Sequence, residues 1–145
     1  MQYGGDKMAQ ATETKRNEMF TEAFSSFSVD DMKAAKEFYG QTLGLNISGG
    51  EEGGLSLKFE NGSTIYVYPK DDHEPATFTV LNLSVKDIDA AVDDLKARGI
   101  EFESYGGDIK TNDKGIHRGA DRGRGPNIAW FKDPAGNILS VMEGK

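Results

Sequence analysis

Apolar and polar positions alternate over short stretches from Glu22 onward and give way to helical spacing between them. Phe27 and Val29 alternate with Ser26 and Ser28, the period-two signature of a strand with one covered face. Asp30 or Asp31 then stands where a helix needs its N-cap. Met32, Ala35, Phe38, Tyr39 and Leu43 recur at helical spacing up to the stop at Gly44. Strands are expected over residues 45–48, 54–60 and 63–68, the last two joined by a turn at Asn61-Gly62. Residues 69–75 read as a linker, with His73 in it.

The same order then recurs. A strand is expected over 76–85, a helix over 87–98 carrying Ile88, Ala91, Val92 and Leu95, and a strand over 100–105. A glycine-rich loop follows over 106–125, then a strand over 127–132, a turn at Asp133-Pro134-Ala135-Gly136-Asn137, and a last strand over 138–143. Val29 to Ala35 lies over Val85 to Ala91, 56 positions further on. Leu43-Gly44-Leu45 lies over Arg98-Gly99-Ile100, and Gly62, Ile65 and Val67 lie over Gly136, Leu139 and Val141. A repeat this long in the same element order implies two copies of one module, about 22–69 and about 76–143. The fold class expected is α+β: two tandem βαβββ modules forming a curved mixed sheet around a cleft, with the helices on the outer face. Residues 1–20 are polar and are expected to form a mobile tail, and residues 21–145 one domain.

Composition narrows the classes of partner. The 145 residues carry a net charge of −7, which argues against nucleic acid or an anionic membrane as a partner. The absence of cysteine excludes disulfides and thiolate metal sites and fits a cytoplasmic protein. No apolar run approaches the ~20 residues of a membrane helix.

Trp130-Phe131-Lys132-Asp133-Pro134-Ala135-Gly136-Asn137-Ile138-Leu139 resembles the penultimate strand, turn and final strand of the vicinal-oxygen-chelate superfamily, which includes glyoxalases, bleomycin-resistance proteins and extradiol dioxygenases. Val29-Asp30-Asp31-Met32, Phe38-Tyr39 and Leu43-Gly44-Leu45 are similar to that family's opening, and the resemblance covers about residues 22–143. It implies paired βαβββ modules, a ligand cleft and a homodimer. In metal-dependent members, four strand positions hold His, Gln or Glu ligands. Aligned here, they fall on Phe24, Tyr66, Val80 and Ser140, none of which is a good ligand for a divalent metal. The resemblance therefore implies no metal and no cofactor.

Strand parity divides the side chains between two faces. Phe27, Val29, Ile65, Val67, Leu81, Leu83, Val85, Leu139 and Val141 are expected under the helices. The opposite parity gives candidate ligand-binding residues Phe24, Ser26, Tyr66, Tyr68, Val80, Asn82, Ser140 and Met142, with Ser28, Thr64, Ser84 and Ile138 on the same face. One of Trp130 and Phe131 points the same way and the other to the core. His117, in the long loop, is read either as a contact to an anionic ligand or as solvated, the second being preferred.

A mixed aromatic and hydroxyl face suits a small organic ligand. The reading is a metal-free, bleomycin-resistance-like binding protein. The alternative is a family enzyme, a lyase or isomerase, that works without the usual metal site or with a non-standard one, using Tyr66 as acid or His117 as base. A third reading is a regulatory protein whose dimer surface matters more than its cleft. No nucleophile–base–orienter set is visible in the sequence.

Overall fold

The computed structural model describes residues 18–144; the tail expected over residues 1–20 lies, up to residue 17, outside them. Module one runs β1 (Ser25–Val29), α1 (Met32–Glu37), β2 (Asn46–Gly49), β3 (Leu55–Lys58) and β4 (Thr64–Pro69). Module two runs β5 (Thr79–Val85), α2 (Ile88–Ala97), β6 (Ile116–Arg118), β7 (Asn127–Lys132) and β8 (Ile138–Glu143). The strands make two four-stranded mixed sheets, ordered β1-β4-β3-β2 and β5-β8-β7-β6. In each sheet the first strand pairs parallel with the last and the other pairs are antiparallel. The α+β class and the duplicated βαβββ order are both present.

The two helices start alike because the repeat places an aspartate before each. Asp31 accepts from the Ala34 N–H at 3.0 Å, and Asp87 accepts from the Ala90 N–H at 3.1 Å. α1 widens into a π-helical turn over Phe38–Thr42. Gly40 in that turn packs closely on β2: a Cβ there would lie 2.6 Å from Ile47 Cδ1, which would have to shift.

The parity split holds. Phe27, Val29, Val67, Leu81, Leu139 and Val141 are buried in one apolar cluster with Leu55, Leu57, Ala129 and Phe131. Ile65, Leu83 and Val85 are only partly buried at its margin. That cluster draws on both modules, which meet at the π-helical turn after α1. The Phe38 ring stands 6.4 Å from Phe131. Tyr39, fully buried, donates its hydroxyl to Asp133 at 2.7 Å. Burial, and after it the Asp133 charge, pushes the Tyr39 phenol far above its ordinary value.

Two expectations are corrected. Residues 100–105 form no strand; the stretch makes an isolated bridge, Phe102 to Phe131, and the Tyr105 N–H turns to the Thr111 hydroxyl at 2.9 Å. The long loop is also not devoid of regular structure. It holds two 3₁₀ turns, Gly107–Ile109 and Ala120–Arg122, and between them β6, the strand that completes the second sheet. β6 pairs with β7 through Ile116–Ala129, His117–Ile128 and Arg118–Asn127.

Candidate functional site

The apolar faces of both sheets cover one core, and the opposite faces carry the polar and aromatic side chains. On the first sheet, Ser26 and Ser28 of β1 lie in register with Tyr66 and Tyr68 of β4. The two tyrosine rings stack with centroids 6.5 Å apart and planes 19° from parallel, both half-buried. Tyr66 lies flat against the backbone of Gly54, where a Cβ would come within 2.1 Å of its ring. Ser26 is exposed. Phe24 precedes β1 and is 65% exposed, so it lines no enclosed site within this chain.

On the second sheet, Ser140 is fully buried and its Oγ donates to Asn82 Oδ1 at 2.6 Å. Trp130 lies beside Ser140 in the β7–β8 register, and Ile128 beside Met142. Trp130, not Phe131, takes this face. Its indole N–H donates to Thr79 Oγ1 at 3.1 Å, and the Tyr105 ring meets it edge-on at 5.3 Å. Burial, with Glu103 nearby, raises the Tyr105 phenol.

Val80 does not fall in step with Asn82 as alternation would have it. The register passes from Thr79–Ile138 directly to Leu81–Leu139, so Val80 is the extra residue of a bulge and Thr79 takes the place beside Trp130. His117 is not a solvated loop residue either. It sits buried on β6, its Nδ1 3.0 Å from the Lys110 carbonyl and its ring 6.4 Å from Trp130. A carbonyl can only accept, so Nδ1 carries the proton there.

Two of the loop's cations, Arg118 and Lys114, bind the start of α2. Arg118 Nη2 reaches both Asp89 oxygens at 2.7 and 2.8 Å, and Lys114 bridges Asp89 at 3.2 Å and Asp93 at 3.0 Å. The Arg118 guanidinium and, after it, Lys114 hold the Asp89 carboxyl below its usual range.

One arrangement is invisible in sequence. Ser28 Oγ lies 2.6 Å from His73 Nδ1, and His73 Nε2 lies 3.1 Å from the Ala135 carbonyl. Nε2–H donates to that carbonyl, and in the neutral ring Nδ1 then accepts from the serine hydroxyl. The Asn137 amide donates to the Ser28 carbonyl at 2.8 Å. Together these contacts tie β1, the linker and the module-two turn, and they supply the hydroxyl–base–orienter order absent from the sequence reading.

Tyr66 and Tyr68 come together, as do Asn82 and Ser140, with Met142 next to them and His117 beside Trp130. The two groups stand on separate sheets. These residues do not fit a divalent metal. Phe24 and Val80 have no donor atom, and the Ser140 hydroxyl is spent on Asn82. Both histidines are engaged in other elements, and no three His, Asp or Glu side chains are grouped to hold an ion among the described residues. No described helix is long and apolar enough to cross a membrane.

A family model described as Glyoxalase/Bleomycin resistance protein/Dioxygenase superfamily matches residues 23–141. No curated protein is matched by the chain. Among solved structures, the chain is similar to TnmS3, an antibiotic binding protein from Streptomyces sp. CB03234, at 21% identity and a TM-score of 0.61, over 88% of this chain and 99% of that one. It is similar to a bleomycin-binding protein complexed with bleomycin at 21% identity and a TM-score of 0.61, over 86% and 98%. Lactoylglutathione lyase from Agrobacterium tumefaciens is similar at 21% identity and a TM-score of 0.58, over 86% and 94%. At these identities the likeness is one of fold.

Proposed function

The chain belongs to the glyoxalase, bleomycin resistance protein and dioxygenase superfamily, and we propose that within it this protein binds a small organic ligand on the polar sheet faces without using a metal. The observation that carries this reading is a pair of aromatic platforms on faces that cover no core. One is the stacked Tyr66–Tyr68 pair and the other is Trp130 with Tyr105 against its edge. Tyrosine and tryptophan half-exposed beside hydroxyl and amide groups give a ligand area to stack on and a few directed hydrogen bonds. The similar antibiotic binding protein and bleomycin-binding protein support an antibiotic as the ligand class. A homodimer completes the site in this reading. Phe24 and Phe78 are 65% and 67% exposed, and β1 and β5 are edge strands of their sheets. Exposed aromatics and unpaired edges are surfaces that a second copy covers.

The test is calorimetric titration of chelator-treated protein with bleomycin and a panel of aromatic antibiotics. Saturable binding that weakens roughly 5- to 150-fold in Tyr66→Ala, the equivalent of about 1–3 kcal/mol of stacking and hydrogen bonding, supports it. Binding that appears only after a divalent metal is restored contradicts it.

An enzymatic reading rests on a different observation, the Ser28–His73–Ala135 chain, whose order is that of an oriented general base. Turnover of the methylglyoxal–glutathione hemithioacetal by chelator-treated protein, lost in His73→Gln, favours it. No turnover rules it out for that substrate.

A further inference from the structure

The internal repeat places two equivalent junctions between the modules, and they are filled differently. At the first, α1 presents Phe38 and Tyr39 to the β7–β8 turn. Tyr39 is fully buried with its hydroxyl on Asp133, and Asn137 packs behind it. The matching positions on α2 are Asp94 and Leu95, and those on the β3–β4 turn are Phe59 and Ser63. A leucine replaces the tyrosine, and an aspartate turned outward to Arg98 at 2.8 Å replaces the phenylalanine. Two rings' worth of packing is missing from the second junction.

A cleft of about 520 Å³ lies there, walled by Leu43, Leu45, Phe59, Ile65, Leu83 and Leu95. It is on the helix side of the sheets, away from Tyr66 and Trp130. The equivalent hollow at the first junction, of about 390 Å³, is edged instead by Glu101, Glu103, Lys132 and Asp133.

We propose that this cleft is a second binding site, distinct from the Tyr66 and Trp130 platforms, for an uncharged molecule of one or two aromatic rings. Three features set that chemistry. The volume lies in the range of small-molecule sites and exceeds the roughly 150 Å³ that holds one benzene in a protein core. The missing groups of the first junction are rings, so an aromatic ligand restores the packing that the duplication lost. Asn82 and Ser84 also border the cleft, and the charged groups at its rim, Asp94 and Arg98, are paired with each other. Arg98 is held by Asp94 and by the Thr42 and Leu43 carbonyls, and Asn61 Oδ1 accepts from the Ser63 N–H and hydroxyl. Phe59 replaces Asp133, so no carboxylate waits at the base for a hydroxyl or an ammonium group.

The probe is N-phenyl-1-naphthylamine, titrated into the full chain and followed by its own fluorescence. One saturable site per chain is expected. Two variants fill the cleft, Ala91→Phe from the helix and Asp94→Phe/Leu95→Tyr by copying the first junction. Each should weaken binding at least tenfold while thermal melting shows the fold retained, and Tyr66→Ala should leave binding unchanged. A crystal soaked with iodobenzene tests placement without any variant, with iodine density expected between Leu95 and Phe59. No saturable fluorescence rise, loss of binding in Tyr66→Ala with retention in the filled variants, or iodine found only on the polar faces would overturn the proposal.

Discussion

Tyr39 shows what one hydroxyl does at a module boundary. Asp133, buried, accepts from the Tyr39 hydroxyl and also from the Ala135 N–H, the Asn137 N–H and the Asn137 amide. Removing a donor from a buried carboxylate costs more than the hydrogen bond itself, because the acceptor cannot recover water. Tyr39→Phe is expected to lower stability by about 1–3 kcal/mol in urea unfolding, with the m-value unchanged. Tyr66 belongs to the other class of aromatic residue, on a face that covers no core. Tyr66→Ala is expected to cost less stability than Leu139→Ala, where a fully buried leucine leaves a cavity worth roughly 2–5 kcal/mol. Leu83, partly buried at the margin of the core, is a weaker comparator. A thermal melt in which Tyr66→Ala is the more damaging of the pair would assign Tyr66 to the core.

Among elements, α2 and β6 are joined chiefly by charge. Arg118 and Lys114 converge on Asp89 in the first turn of α2 and hold its carboxyl below the usual range. A lowered folded-state value means this contribution is present above the ordinary carboxylate pKa of about 3.9 and is lost as pH falls through the lower folded value. Asp89→Asn should therefore reduce stability at neutral pH and flatten its fall below about pH 4, read from melting temperatures across pH. An unchanged acid limb would show that the cluster contributes nothing. Most elements were legible in the sequence because the repeat doubled each signal: the same N-cap aspartate, the same glycine stops and the same alternating strands. β6 was not legible. Three residues cannot display a period, and Gly115 and Gly119 on either side read as loop. Gly119 is itself required, since a Cβ there would lie 2.7 Å from the Pro126 carbonyl oxygen. The bulge at Val80 was hidden for a different reason, because register belongs to a pair of strands and alternation within one strand carries no trace of it. Parity did separate the polar faces from the core, and it put Tyr66, Tyr68, Asn82 and Ser140 on the polar side. The Ser28–His73–Ala135 chain was not, because its members lie 45 and 62 residues apart and meet only through the fold.

For the whole molecule, the duplication gives two sheets with one shared core and two outward polar faces. Phe24 and Phe78 beside the sheet edges are exposed apolar surface that a second copy would cover. Light scattering at micromolar concentration is expected to give a dimer mass, and Phe24→Asp/Phe78→Asp a monomer mass; a monomeric parent chain would contradict the pairing. If the polar faces hold an organic ligand, the molecule carries its own reporter for one of them. Trp130 is the single tryptophan of the chain and stands on the face of Asn82 and Ser140, so intrinsic tryptophan emission reads that site alone. Titration with the ligand that calorimetry ranks tightest should shift or quench this emission with a saturable curve matching the calorimetric Kd. Calorimetric binding that leaves Trp130 emission unmoved and survives Tyr66→Ala would put the ligand off both polar faces and overturn the assignment.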